Sequence, residues 1–297
     1  MKSVLITGIT CYIGSEIARR LVADGVEVSG IVREGSQLQR LSPFQDQLTL
    51  FKTDGSQGSV DDAVSKSNAD VIIHLAGFYT WEHSPEQVAE LIDANITFGT
   101  KILEAAKKCG IKRLINTGSH IQYYESETAN PANLYGATKQ AFVDILDYYG
   151  QFEGFDVLSL IIFETYGPRD WRKKLIQAIA EAQKNGNPLP MVAADPIMDF
   201  AYIDDVVDAY IHAAHLLGSH PETVKGKSFA LSGGQRLPIS ELIKVFEEVS
   251  GRAITTEKRD DPSDLRRILN PWKGPGLPDW EPRVSLSEGI EIFLEDF

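Results

Sequence analysis

The opening stretch Met1-Lys2-Ser3-Val4-Leu5-Ile6-Thr7-Gly8-Ile9-Thr10-Cys11-Tyr12-Ile13-Gly14 constrains this chain more than any other. A short apolar run, too short for a helix, breaks at a glycine and passes into Ser15-Glu16-Ile17-Ala18-Arg19-Arg20-Leu21, which has helical spacing. That is how a parallel strand hands over to a helix. The helix start offers unpaired N–H groups and the positive end of its dipole, and a residue without a side chain lets a pyrophosphate come close. Gly8, Thr10, Cys11, Tyr12 and Ile13 are therefore candidate phosphate-cradle residues. A tight turn that binds nothing would use the same glycines, so the signal needs support from the rest of the chain.

The support comes from alternation. Strands are expected at Val4–Thr7, Val26–Val32, Leu48–Lys52, Val71–Ala76, Arg113–Thr117 and Val157–Phe163. Helices are expected from near Ile13, Val60, Pro85 and Asn133, with a shorter one around Gln37–Leu41. Strand and helix in turn give an α/β fold, a doubly wound parallel sheet of Rossmann type, with ligands bound along the edge where the strands end. Residues 1–165 should form this dinucleotide-binding domain, completed by about 198–217. Residues 166–197 and 218–297 should form a smaller C-terminal lobe over the substrate, including a helix at Trp171-Arg172-Lys173-Lys174. A helix start is expected at Ser240, with that residue or its predecessors as the cap.

Charge excludes some partners. With 29 basic against 42 acidic residues and no basic run, nucleic acid is not an expected partner. The two cysteines, Cys11 and Cys109, suit a reducing compartment, and no metal-like neighbours flank them. The chain opens on a strand, and no apolar run reaches the ~18 residues of a membrane span. A cytoplasmic protein with no membrane partner and no metal is expected.

At the end of the second strand Val32 is apolar and Arg33 follows. An acidic residue in this region takes the adenosine ribose hydroxyls, whereas an arginine accommodates a 2′-phosphate, so NADPH is favoured over NAD(H). A solvated arginine at a strand end is the competing reading. Asp54 and His74-Leu75-Ala76-Gly77 reach the same edge, where small residues let backbone pass beside an adenine and its ribose.

The strand Arg113–Thr117 runs into Gly118-Ser119, and Tyr135-Gly136-Ala137-Thr138-Lys139 lies within a helical pattern. Residues four apart share a helix face, so the Tyr135 phenol and Lys139 ammonium can point into one space. A nearby cation favours the phenolate and would lower the tyrosine pKa toward the working pH, as a proton donor or acceptor requires. Ser119, Tyr135 and Lys139 are the candidate catalytic residues.

At these residues the chain resembles the extended short-chain dehydrogenase/reductase family, in its nucleotide-sugar epimerase, dehydratase and reductase branch. The likeness rests on Thr7-Gly8 through Gly14, His74 through Gly77, Asn95-Ile96-Thr97-Phe98-Gly99-Thr100, Ser119, Tyr135 with Lys139, Tyr166-Gly167-Pro168-Arg169, Asp199 through Val206, and Trp280-Glu281-Pro282. It implies that Tyr135 is the acid/base, that Lys139 holds the nicotinamide ribose, and that Ser119 bonds the reacting oxygen. It adds Gly55, Leu75, Ala76, Gly77, Asn95, Thr117, Ile162 and Phe163 as cofactor-site candidates. It also implies a substrate site at Phe78, His120, Ile121, Glu164, Arg169, Lys173, Met198 and Arg259, with Arg172 and Arg266 as further phosphate candidates, and a homodimer through the helices near Pro85 and Asn133.

The departures narrow the expectation. Cys11 replaces the middle glycine of the family turn, where a small buried filler is the plain reading and a redox thiol the other. His120-Ile121 replaces the carboxylate that drives water elimination in dehydratases, so dehydration is not expected. Met198 stands for a usual arginine and Glu164 for a usual asparagine. These features are similar to the CDP-abequose and CDP-paratose synthases, and an NADPH-dependent reductase of a nucleotide-linked 4-keto sugar is the expected function. An NAD-dependent nucleotide-sugar 4-epimerase, and a carbonyl reductase of a non-nucleotide substrate suggested by Phe78-Tyr79-Thr80-Trp81, are the alternatives.

Overall fold

In the computed structural model, which describes residues 1–192, 194–259 and 267–297, strand and helix alternate from the start. First come β1 (Ser3–Thr7), α1 (Tyr12–Ala23), β2 (Glu27–Arg33), β3 (Leu48–Thr53), α2 (Gln57–Ser67) and β4 (Val71–His74). Next come α3 (Val88–Ile92), a π-helical turn (Asp93–Thr97), α4 (Phe98–Cys109), β5 (Arg113–Ser119), α5 (Leu134–Phe152) and β6 (Asp156–Ile162). They are followed by β7 (Glu164–Tyr166), α6 (Leu175–Asn185), β8 (Leu189–Val192), β9 (Ile197–Tyr202), α7 (Ile203–Ser219) and α8 (Pro221–Val224). The chain ends with β10 (Lys227–Leu231), β11 (Arg236–Pro238), α9 (Ile239–Ser250), β12 (Thr256–Arg259) and α10 (Leu286–Asp296).

Seven strands form one parallel sheet in the order β10-β6-β5-β4-β1-β2-β3. The chain winds outward from β1 in both directions, so a crevice opens past the carboxyl ends of β1 and β4, where a doubly wound sheet binds its ligand. Both faces are covered, which explains the nearly continuous apolar strands. Val4 and Ile6 face the layer of α1 and α7, with Ile17, Leu21, Ala209 and Tyr210. Leu5 faces the opposite layer, with Ile102, Leu103, Phe142 and Leu146 from α4 and α5. Each such side chain contributes about 1.5–3 kcal/mol when fully buried, so one substitution in β1 weakens a whole layer. Two small sheets, β11-β9-β7 and β12-β8, complete the pairing. Among the described residues no helix is long and apolar enough to cross a membrane.

Three local expectations change. β10 joins the large sheet beside β6, although the sequence placed it in the smaller lobe; Phe229, Ala230 and Leu231 are buried there as a doubly covered strand requires. No helix forms at Trp171–Lys174; α6 starts at Leu175, where the apolar spacing of Ile176, Ile179 and Ala180 begins, with Lys174 as its N-cap. Gln37–Leu41 is a turn, closed by Leu41 N–H donating to the Leu38 carbonyl at 2.9 Å. The expected helix start at Ser240 is kept: its predecessor Pro238 holds the N-cap position of α9, and Ser240 bonds Asp195.

Candidate active site

The glycine turn has steric reasons at two positions. Gly8 adopts φ +72°, and a Cβ there would stand 2.7 Å from the Ala76 nitrogen. A Cβ at Gly14 would stand 2.4 Å from the Gly8 carbonyl oxygen. Only glycine lets β1, the β4 loop and α1 approach this closely. The loop after β4 is tied back by Thr7, whose Oγ1 lies 2.8 Å from His74 Nδ1 and accepts from the Ala76 N–H at 3.3 Å. Cys11 is the N-cap of α1: its Sγ accepts from the Gly14 N–H at 3.2 Å. Burial raises its pKa, so the thiol is a capping group with little thiolate character.

A cleft of about 1050 Å³ opens beside this turn, lined by Gly8, Thr10, Cys11, Arg33, Asp54, Gly55, Leu75, Ala76 and Gly77. Nine residues proposed from sequence thus share one wall. Tyr12 and Ile13 are buried, and the Tyr12 hydroxyl donates to the Pro168 carbonyl at 2.9 Å, so only their backbones are available to the turn. Arg33 ends β2 and is exposed, with Glu34 and Ser36 beside it. Asp54 accepts from the Ser56 N–H at 2.9 Å and the Ser59 hydroxyl at 2.7 Å, and these serines hold its carboxyl well below the usual range. The opposite wall, which the sequence reading missed, comes from α3, the π turn and α4: Glu90, Asp93, Thr97 and Lys101. Lys101 Nζ donates to the Gly55 carbonyl at 2.6 Å. Volume, glycine turn and helix start fit a nicotinamide dinucleotide along this cleft.

The candidate catalytic residues converge past its end. Ser119 closes β5, in register with Ile162 of β6. Asn133 caps α5 by accepting from the Gly136 N–H at 2.9 Å, which puts Tyr135 in the first turn. Tyr135 is half-buried, and its phenol is hydrogen-bonded to Ser119. Lys139 Nζ donates to the Thr117 carbonyl at 2.9 Å, and the Thr117 hydroxyl pairs with the Tyr210 hydroxyl at 2.7 Å. Burial lowers the Lys139 pKa to about 8. The expectation of a lowered tyrosine pKa is not met: burial raises it, Tyr79 adds to the rise, and the hydrogen bond from Ser119 only partly offsets them. Asn95, in the π turn, accepts from the Phe78 N–H at 2.8 Å and donates to the Phe78 carbonyl at 3.0 Å and to Thr138 Oγ1 at 2.9 Å. It pins the loop after β4 to α5.

Of the substrate candidates, His120, Glu164 and Met198 line a small cavity of about 20 Å³ with Phe163 and Asp199. His120 stacks on Phe163 with centroids 5.5 Å apart, its Nδ1 is buried without a partner among the described residues, and burial lowers its pKa. Ile121 packs with Ala132 and Ile268, against Trp81 and Tyr135, and Ile162 ends β6. Three cations fall elsewhere. Arg169 adopts φ +60° and sends its guanidinium to Glu16 at 2.9 Å, on α1. Lys173 is exposed, and its neighbour Lys174 instead pairs with Glu164 at 2.7 Å. Arg259 sits on β12 opposite Val192, outside this cavity wall. Arg266 lies outside the described residues. Arg172 holds Asp170 through two bonds, at 2.8 and 2.7 Å. The sequence reading also missed the pair between buried Asp199 and Arg236, at 2.8 Å. No local pattern tells which of two adjacent lysines turns inward, or joins residues 37 apart.

The model of the NAD dependent epimerase/dehydratase family matches residues 4–225. The chain belongs to that family. Its members are enzymes that use a nicotinamide cofactor, in keeping with the cleft described above. A probable UDP-glucuronate 4-epimerase of Rhizobium meliloti is 25% identical, covering 98% of this chain and 95% of its own length. A CDP-abequose synthase of Salmonella typhimurium is 26% identical, covering 98% of this chain and 97% of its own. Among solved structures, a UDP-glucuronic acid 4-epimerase of Bacillus cereus in complex with UDP-glucuronic acid and NAD has a similar fold. Its TM-score is 0.85 at 20% identity, over 100% of this chain and 98% of that one.

Proposed function

We propose that the chain is an NADPH-dependent reductase of the 4-keto group of a nucleotide-linked deoxysugar. The observation that carries this reading is the placement of Tyr135, half-buried and hydrogen-bonded to Ser119 with Arg33 at the edge of the adjoining cleft, and burial of the phenol also favours its neutral form. A reductase needs a proton donor at the carbonyl oxygen, whereas an enzyme that first oxidises an alcohol needs that phenol as an anion. The bound nicotinamide would supply the hydride. Tyr135 gives its proton to the sugar oxygen as negative charge develops there, and Ser119 holds that oxygen. Lys139, anchored on Thr117, offers its remaining N–H donors to the ribose. Arg33 at the cleft edge, with apolar Val32 before it, suits a 2′-phosphate.

Residues 166–197 and 218–297, apart from β10, are the lobe that closes on the substrate in this reading. Exposed Val88 and Ile92 on α3 and Tyr148 and Phe152 on α5 suit a homodimer through these helices. A second reading, a 4-epimerase that keeps its NAD, is favoured by the relatives named as 4-epimerases, which align over almost the whole chain. Incubation with NADPH and a panel of nucleotide 4-keto-6-deoxysugars separates the two. A reductase consumes NADPH in proportion to sugar, whereas an epimerase leaves these mixtures unchanged in stoichiometry and instead interconverts the C4 epimers of a 4-hydroxy nucleotide sugar with NAD+.

A further inference from the structure

Beyond Ser119 and Tyr135, the open side of the site is bounded by an aromatic ring and a carboxylate. Tyr79 is 58% exposed and stands edge-on to the Tyr135 ring, with centroids 4.9 Å apart at 89°. Its strap is held at both ends, by Asn95 on Phe78 and by Asn133 Nδ2, which donates to the Trp81 carbonyl at 3.0 Å. Glu164 lies two positions past Ile162, the register partner of Ser119, and lines the cavity of His120 and Met198. It is near enough to Tyr79 to add to the rise that burial gives that phenol. Glu164 and His120 thus share one cavity wall, within electrostatic range of Tyr79.

Among the described residues, three cations near this space are already matched. Lys174 holds Glu164 at 2.7 Å, Arg172 holds Asp170 at 2.7 Å and Arg236 holds Asp199 at 2.8 Å. Lys139 is bonded to Thr117, and burial disfavours a charged His120. A carboxylate on an entering sugar would lose its water, meet Glu164, and gain no counter-ion from these groups. Burying an unpaired charge in that way is costly. A sugar hydroxyl instead can donate to Glu164, and the Tyr79 ring offers an apolar face to C–H edges.

We propose that this site selects nucleotide sugars with an uncharged sugar and discriminates against hexuronates, with Glu164, held by Lys174, as the specificity-determining residue. The proposal rests on the nucleotide-sugar reading above, and it separates this chain from relatives named for glucuronate.

Titration calorimetry on the full chain with NADP+ present tests it, using matched glucose and glucuronate derivatives of UDP, CDP and dTDP. In the series that binds, glucose should bind at least about tenfold more tightly than glucuronate, the equivalent of ~1.4 kcal/mol. Glu164→Gln leaves Lys174 unmatched and should narrow that gap by raising glucuronate affinity. Lys174→Met leaves Glu164 unmatched and should widen it. Equal wild-type affinity for both members, or a gap that neither variant moves, overturns uronate exclusion and leaves the nucleotide-sugar reading standing. No binding in any series overturns that reading and the inference with it.

Discussion

The Lys139 ammonium donates to the Thr117 carbonyl at 2.9 Å, so the cation of the Tyr135–Lys139 face is anchored on the central sheet and not on the phenol. Burial lowers its pKa to about 8. Free lysine titrates near 10.4, so the unfolded chain binds the extra proton between about pH 8 and 10.4. Below pH 8 both states carry the charge and the folded state bears the full penalty. That penalty fades as pH rises through the window. Measured by denaturant unfolding, wild type should gain on the order of 2 kcal/mol relative to Lys139→Met between pH 8 and 10. The comparison with the variant removes the opposing effect of half-buried Cys11, whose raised pKa lowers stability with pH once the unfolded thiol ionises. A difference that stays flat with pH contradicts the buried-cation assignment.

Tyr135→Phe removes the proton donor and leaves its ring. Turnover should fall at least about a hundredfold, the lower range for a positioned general acid, with cofactor affinity nearly unchanged. Because burial raises this phenol, kcat/KM for reduction should hold through neutral pH and fall only in the alkaline range. Near-normal turnover in the variant rules the role out.

Arg33→Ala should raise the KM for NADPH far more than that for NADH, since only the former carries the 2′-phosphate. Equal effects on both cofactors would retire that contact.

Arg236 bonds the fully buried Asp199 side chain and the Trp272 carbonyl, at 2.8 and 2.9 Å. Arg236→Ala should cost about 3 kcal/mol, because breaking a buried pair strands its partner's charge. Adding Asp199→Asn should recover part of the loss in thermal melts. No recovery means the arginine acts through packing on Phe163, whose ring it covers at 5.6 Å.

The candidate cofactor half was legible in sequence because its signals are local. The turn from Gly8 to Gly14 lies within seven residues, Arg33 follows its own strand, and Tyr135 and Lys139 share one helical turn. Those spacings map directly onto backbone geometry. The substrate half was not, because it is assembled across separate strands and turns. Arg169 turned away to Glu16, Lys174 turned in where Lys173 was expected, and Asp199 met Arg236 only because β9 and β11 pair. The direction of the Tyr135 pKa was missed for a related reason. Spacing shows that a cation is close, but not that burial outweighs it.

Net reduction is tested most directly with NADPH deuterated at nicotinamide C4 on the transferred face. After incubation with a nucleotide 4-keto-6-deoxysugar, the product should carry one deuterium at sugar C4, with equimolar NADP+ formed. Keto sugar recovered unreduced with no NADP+ formed, together with C4 interconversion of the matching 4-hydroxy nucleotide sugar in the presence of NAD+, would contradict it.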